Sequence, residues 1–195
     1  MKPSKDLSIV QRLHASITAH DKALAWHCRE VSIYSREVAA QLGLDEDGQE
    51  LARLTGLVHD IGKIELPTHL IWKAGELTAD ERCQLGQHVV IGERLVAEAG
   101  GHDEIRRNVR HQTERVDGQG HPDGLAGSEI PLISRIIGIA NAYSEMTMGK
   151  PTVGGAPSRV ARLRLAQAAG SHFDERVAAA FEASMASRDT IPNGS

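Results

Sequence analysis

Aromatic residues are scarce: two Trp, two Tyr and two Phe supply 3% of the 195 residues. The ten histidines are therefore no part of a general aromatic enrichment, and a subset is expected to share a polar site. Cysteine is nearly absent too. Cys28 and Cys83 are the whole complement and neither sits in a CxxC pair, which excludes a disulfide framework and argues against a structural zinc site. No stretch approaches the roughly 18 uninterrupted apolar residues of a membrane helix. A net charge of −4 gives no general attraction to a nucleic acid polymer or an anionic membrane. The opening "MKPSKDLSIVQRLHASITAHDK" soon turns polar, unlike the apolar centre of a secretory signal, so a cytoplasmic location is expected. What remains is an ordinary globular composition, 41% hydrophobic and 25% charged, at a length that suits one domain.

Helical periodicity runs nearly throughout. Leu24, His27, Val31, Tyr34, Val38 and Leu42 recur at three- or four-residue steps and predict one face of a helix, stopped at Gly43. Leu51, Leu54, Thr55 and Val58 mark the next face. Residues 64–77, with Pro67 and Gly75, read as a connector holding at most a short helical turn. "TADE" at 78–81 fits a capping box, and the helix it starts is expected to run to Gly100-Gly101 with Leu85, His88 or Val89, Gly92 and Val96 on one side. A shorter helix is predicted near 103–112. "ERVDGQGHPDGLAGSEIP" is too rich in glycine and proline for a regular element. A long helix from about 131 to 148 follows, then the connector "GKPTVGGAPS" and two closing helices. No strand pair and no repeat is expected. The reading is all-α and single-domain: a helical extension over 1–20, the domain over 21–187, and a disordered tail over 188–195.

The stretch "GLVHDIGKIELP" places His59, Asp60 and Lys63 within an apolar run. An unpaired buried charge costs several kcal/mol or shifts its pKa, so this cluster calls for a compensating partner, and a divalent metal suits it. Imidazole with carboxylate fits iron, manganese, zinc or a similar first-row ion. His59 and Asp60 point about 100° apart on an ideal helix, so they share an ion only beyond the helix end or in the angle between them. His27 and His88 lie on the apolar faces of two other helices, positions from which inward ligands reach a common centre. Taken singly, each has a plainer reading: His27 as a hydrogen-bonded core residue, Lys63 as a cation at a helix C-terminus.

"VHDIGKIELP", "GELTADE", "QHVVIGERL", "ERVDGQGHPDGLAGSEIPLISRIIGIANAY" and "AGSHFDERVAAAF" together resemble the HD-GYP domains, a branch of the HD phosphohydrolases, in order and spacing from about residue 20 to 185. The resemblance implies an HD-superfamily helical bundle that hydrolyses cyclic di-GMP to pGpG or GMP with iron or manganese. Carried over, His27, His59, Asp60 and His88 are metal ligands, Asp60 and Lys63 the catalytic pair, and Lys63 and Lys150 phosphate contacts. The chain also departs from the family pattern. Where the family has HHExxDGxGYP, this chain has "QTERVDGQGHP": two ligand histidines become Gln112 and Thr113, and the tyrosine becomes His121. A ligand aspartate becomes Asn141, a weak donor, and a second aspartate becomes Ser144. One or two ions are expected, with His111 a further weak candidate ligand. Three functions follow: a phosphodiesterase; a catalytically impaired module that binds a nucleotide or a GGDEF-domain partner; and a mononuclear HD phosphohydrolase acting on another phosphate ester.

Overall fold

The structure, a computed structural model, describes residues 3–150 and 153–189. Its helices are α1 (Pro3–His20), α2 (Lys22–Gln41), α3 (Glu46–Val58), α4 (Thr68–Ile71), α5 (Ala79–Gly86), α6 (His88–Glu98), α7 (Asp103–His111), α8 (Leu132–Met148), α9 (Ser158–Gln167) and α10 (Glu175–Asp189). Short 3₁₀ stretches occupy Ile61–Glu65 and Gly127–Glu129. The only strands among the described residues are β1 (Gly149–Lys150) and β2 (Val153–Gly154), an antiparallel pair with Gly149 opposite Gly154. That pair corrects the expectation of no strands; it is two residues long and leaves the fold all-α.

Helix α2 is the hub. Asp21 caps its start, accepting from the Ala23 and Leu24 amides at 2.7 and 3.1 Å. Its apolar stripe of Leu24, Cys28, Val31 and Val38 is fully buried against α1, α3, α8 and α10. Helix α1 belongs to this core: Ile9, Val10 and Ile17 are buried, and the His14 ring donates to the Leu57 carbonyl at 3.2 Å. At the far end Arg188 lies within α10 and forks onto Glu37 at 2.6 and 2.7 Å, so residues 188 and 189 are helical; the rest of the expected tail, 190–195, lies outside the described residues.

Two glycines set the distances that matter for the site. A methyl group on Gly56 would sit 2.6 Å from Ser32 Cα, so α3 presses directly on the α2 backbone. A methyl on Gly62 would lie 1.9 Å from the His88 carbonyl oxygen, so the 3₁₀ stretch rests on the first turn of α6. Both contacts exclude any side chain larger than hydrogen. They draw α2, the end of α3 and the start of α6 together.

The capping box at Thr78–Glu81 forms as expected, with Glu81 N–H on Thr78 Oγ1 and Thr78 N–H on Glu81 Oε2. The expected single helix from there to Gly100 is two helices instead. Gln87 N–H bonds three residues back to Gln84, while the Leu85 carbonyl accepts from the His88 ring, and the helix is interrupted between them. The glycine-rich loop after α7 is irregular but fastened. Val116 and Asp117 donate to His172 and Ser171, and Arg115 forks onto Asp117. No helix among the described residues is long and apolar enough to cross a membrane.

Candidate metal centre

His59 is the C-cap of α3, and Asp60 breaks the helix at φ −100°, ψ 12° before the 3₁₀ stretch begins. The pair therefore sits at a junction between two helix types, which turns both side chains into one buried space. Asp60 is its centre. His59 Nε2 and His27 Nε2 lie 3.4 and 3.6 Å from Asp60 Oδ2, and His88 Nε2 lies 3.4 Å from Oδ1. Lys63 Nζ donates to Oδ2 at 2.6 Å. All five side chains are buried.

The outer nitrogens of His59 and His88 fix where those rings carry a proton. His59 Nδ1 donates to the Gly56 carbonyl and His88 Nδ1 to the Leu85 carbonyl, both at 2.8 Å. His27 Nδ1 lies 2.9 Å from Ser144 Oγ, whose proton goes to Glu30 Oε2, and its Nε2 lies 2.8 Å from Asn141 Oδ1, so this ring faces an acceptor on each side. All three rings turn Nε2 toward Asp60 while Nδ1 is held by a neighbouring oxygen, as in metal-ligating histidines. His59 Nε2 and Asp60 Oδ1 are buried and make no hydrogen bond. Such orphaned polar atoms cost about 1–3 kcal/mol each. A cation between them would remove that cost. First-row ions with bonds near 2.1 Å hold neighbouring ligand atoms about 3.0–3.4 Å apart, close to the separations seen around Asp60. The donor set of His27, His59 and Asp60 lies within 4.8 Å throughout. The residues fit a divalent ion.

Electrostatics agree. Burial, with the charges of His59 and Lys63 adding to it, lowers His27 to about 3. Burial likewise lowers His88 to about 4. Both are neutral near pH 7, with lone pairs ready to coordinate. Burial opposes ionisation of Asp60, but His59 and Lys63 outweigh it and hold the carboxyl well below its usual range. Burial also opposes charge on His59, and Asp60 and the neighbouring Cys28 outweigh it, pushing the imidazole well up. In the metal-free protein, protonated His59 and Lys63 both face the Asp60 carboxylate; an entering ion would displace the His59 proton.

The remaining candidate residues separate. The Asn141 amide is 2.8 Å from His27 Nε2, so α8 delivers it to the centre. Gln112 also turns inward, but its Nε2 donates to the His59 carbonyl at 2.5 Å. Thr113 Oγ1 donates to the His121 carbonyl at 2.8 Å and ties down the loop. His121 packs on Gly86 and lines cavities beside His88 without joining the donor set around Asp60. His111 is not brought there: its Nδ1 faces Asp123 and Glu114, at 3.5 and 3.8 Å. The Lys150 backbone lies in β1, and its side chain lies outside the described residues. Sequence reasoning missed Glu30, Glu145 and Trp72. Glu30 follows His27 by three residues and Glu145 follows Asn141 by four, so helical spacing was the available signal; Trp72 carried none.

Two cavities meet at Lys63 and Glu145, whose charged groups are 3.8 Å apart. One, of about 280 Å³, is walled by Trp72, Leu70, Leu77, Leu85 and Met148. The other, of about 360 Å³, lies beneath the glycine-rich loop and is lined by Arg115, Gln119, His121 and Gln112 among others.

Comparison with known proteins fits this geometry. Residues 11–177 match the HD domain family. The chain is 34% identical over 155 residues to a 3'3'-cGAMP-specific phosphodiesterase of Vibrio cholerae, covering 74% of this chain and 34% of that protein. It is 32% identical over 152 residues to the cyclic di-GMP phosphodiesterase response regulator RpfG of Xanthomonas campestris, covering 75% of this chain and 39% of that protein. The chain thus spans between a third and two fifths of the length of these relatives. An HDG"Y"P protein from Bdellovibrio bacteriovorus shares the fold with a TM-score of 0.70 at 20% identity, over 83% of this chain and 52% of that one. With its HD pair at the centre of three convergent imidazoles and its altered HHE and GYP segments still in place, the chain belongs to the HD domain family, in its HD-GYP-type branch.

Proposed function

We propose that the protein is a metal-dependent phosphodiesterase acting on a cyclic dinucleotide, with cyclic di-GMP the first substrate to test. One observation carries this reading: the Nε2 atoms of three buried imidazoles lie 3.4–3.6 Å from one buried carboxylate, and among these atoms His59 Nε2 and Asp60 Oδ1 have no hydrogen-bond partner. A bound divalent ion, iron or manganese on this reading, supplies charge for the phosphoryl oxygens and lowers the pKa of water. His27, His59 and Asp60 would hold it, with Asn141 as a weaker neutral neighbour. His88, with Asp60 Oδ1, offers a second and poorer position.

Lys63 faces the substrate side. One N–H is spent on Asp60, and an ammonium has three. The others point the charge toward a phosphate entering between the two cavities, where it stabilises the negative charge that builds at phosphorus. Burial of Asp60 and the histidines keeps these interactions in a low dielectric, where they are strongest. Lys150 is a proposed second phosphate contact, and a cytoplasmic site of action goes with the substrate.

A second reading is favoured by a specific observation: Gln112 and Thr113 are engaged in structural hydrogen bonds where the family pattern has imidazoles. On it, the domain binds a cyclic dinucleotide, or a GGDEF-domain protein through the glycine-rich loop, without turnover. Hydrolysis of cyclic di-GMP, followed by chromatography with added Mn²⁺ or Fe²⁺, separates the two. Formation of pGpG or GMP that stops with chelator supports the enzyme. Binding without product supports the module.

A further inference from the structure

The 280 Å³ cavity beside Lys63 has a feature the phosphodiester chemistry does not use. Leu70, Leu77 and Met148 wall it with Trp72, and His27, Lys63 and Glu145 supply its titratable lining. The indole is not loosely placed. Its Nε1–H donates to Asp21 Oδ2 at 2.6 Å, while Asp21 Oδ1 caps α2. One carboxylate therefore fastens Trp72 to the start of the helix that carries His27. The ring and the candidate ligand are held in one frame, and the indole lines a cavity wall rather than being wholly enclosed.

A phosphate at Lys63 leaves the rest of its ester in one or other of the two cavities. The cavity beneath the glycine-rich loop presents Arg115, Gln119 and His121, which suit polar and charged groups. The Trp72 cavity suits a flat, weakly polar ring with a π-face. We infer that Trp72 is the stacking platform for one nucleobase of the substrate, with Asp21 its positioning residue, so that the two bases of a cyclic dinucleotide meet unlike surroundings. This rests on the cyclic dinucleotide reading given above.

The test uses emission from Trp72 itself. The chain has two tryptophans, and Trp26 is 57% exposed, so Trp26→Phe leaves Trp72 as the sole reporter at little structural cost. Cyclic di-GMP is titrated into this variant, while equilibrium dialysis measures binding independently. The expected result is a saturating change in Trp72 emission at the dialysis Kd. Trp72→Ala should weaken binding about five- to a hundredfold, the usual worth of base–aromatic stacking, and Trp72→Phe should restore most of it. Binding by dialysis with unchanged emission overturns the stacking role and leaves the substrate reading standing. No binding by dialysis to the unmodified protein overturns the substrate reading and the platform with it. The emission measurement decides the matter even if Trp72→Ala fails to fold.

Discussion

The two oxygens of Asp60 face different neighbourhoods. Around Oδ2, His27, His59 and Lys63 gather with Asn141 behind them, and the facing His59 Nε2 has no partner. Around Oδ1, His88 stands without a second imidazole, and the inward residue beside it, Gln112, is spent on a backbone carbonyl. The Oδ2 side gathers more imidazole, although Lys63 already bonds that oxygen and the unpartnered one is Oδ1. On the Oδ1 side Gln112 Nε2 joins the end of α7 to the α3 junction and Thr113 anchors the loop, while Gln112 Oε1 is buried without a partner. Gln112 thus serves the backbone through its nitrogen and keeps a free acceptor on the side of the centre that has fewer imidazoles.

Removing the shared carboxylate should have the largest effect. Asp60→Ala is expected to lower phosphodiester hydrolysis by at least roughly 1,000-fold, since it takes away the ligand common to both sides. It also leaves Lys63 and His59 buried without their counter-charge, at a cost of about 3–5 kcal/mol, which urea denaturation would read. Unchanged activity would remove Asp60 from the centre.

Rebuilding the poorer side is the sharper trial. Gln112→His, Thr113→His and Asn141→Asp together should raise bound metal and increase turnover by about tenfold or more, imidazole and carboxylate being far better ligands than amide or hydroxyl. Metal analysis and steady-state kinetics check this. A triple variant that folds and gains neither would show that the backbone on the Oδ1 side no longer allows a second ion.

A smaller effect should appear in the metal-stripped protein as acid is added. His27 and His88 are held at about 3 and 4, below the ordinary imidazole value. The unfolded chain therefore takes up protons below about pH 6.5 that the folded chain refuses, and stability falls as pH drops toward those values, by up to about 2.7 kcal/mol per unit for the two together. His59 is shifted the other way, so its contribution is complete below 6.5 and fades only as pH rises through its raised value. Urea midpoints between pH 7 and 5 measure the sum. A flat profile would mean that His27 and His88 are not buried as neutral groups.

Local chemistry made much of the fold legible. The Thr78 capping box and the α2 stripe depend on spacing within a few residues, and both form as the sequence predicts. The break at Gln87 was hidden because no proline marks it in the sequence. The pairing of Lys63 with Glu145, and of Ser144 with Glu30, joins segments far apart in the chain, and no periodicity reports such contacts. His111 turned away as the roughly 100° step from its neighbour requires. Gln112 was recognisable as a changed ligand position; its bond to the His59 carbonyl was not, because that needs the distance between two helix ends.

A cation between His27, His59 and Asp60 is what the proposed chemistry requires. Metal analysis of protein purified without chelator, beside His59→Ala prepared identically, tests it most directly. The account predicts about one equivalent of a first-row ion in the unmodified protein and near none in the variant, with helical circular dichroism retained. Equal metal in the two preparations would contradict it.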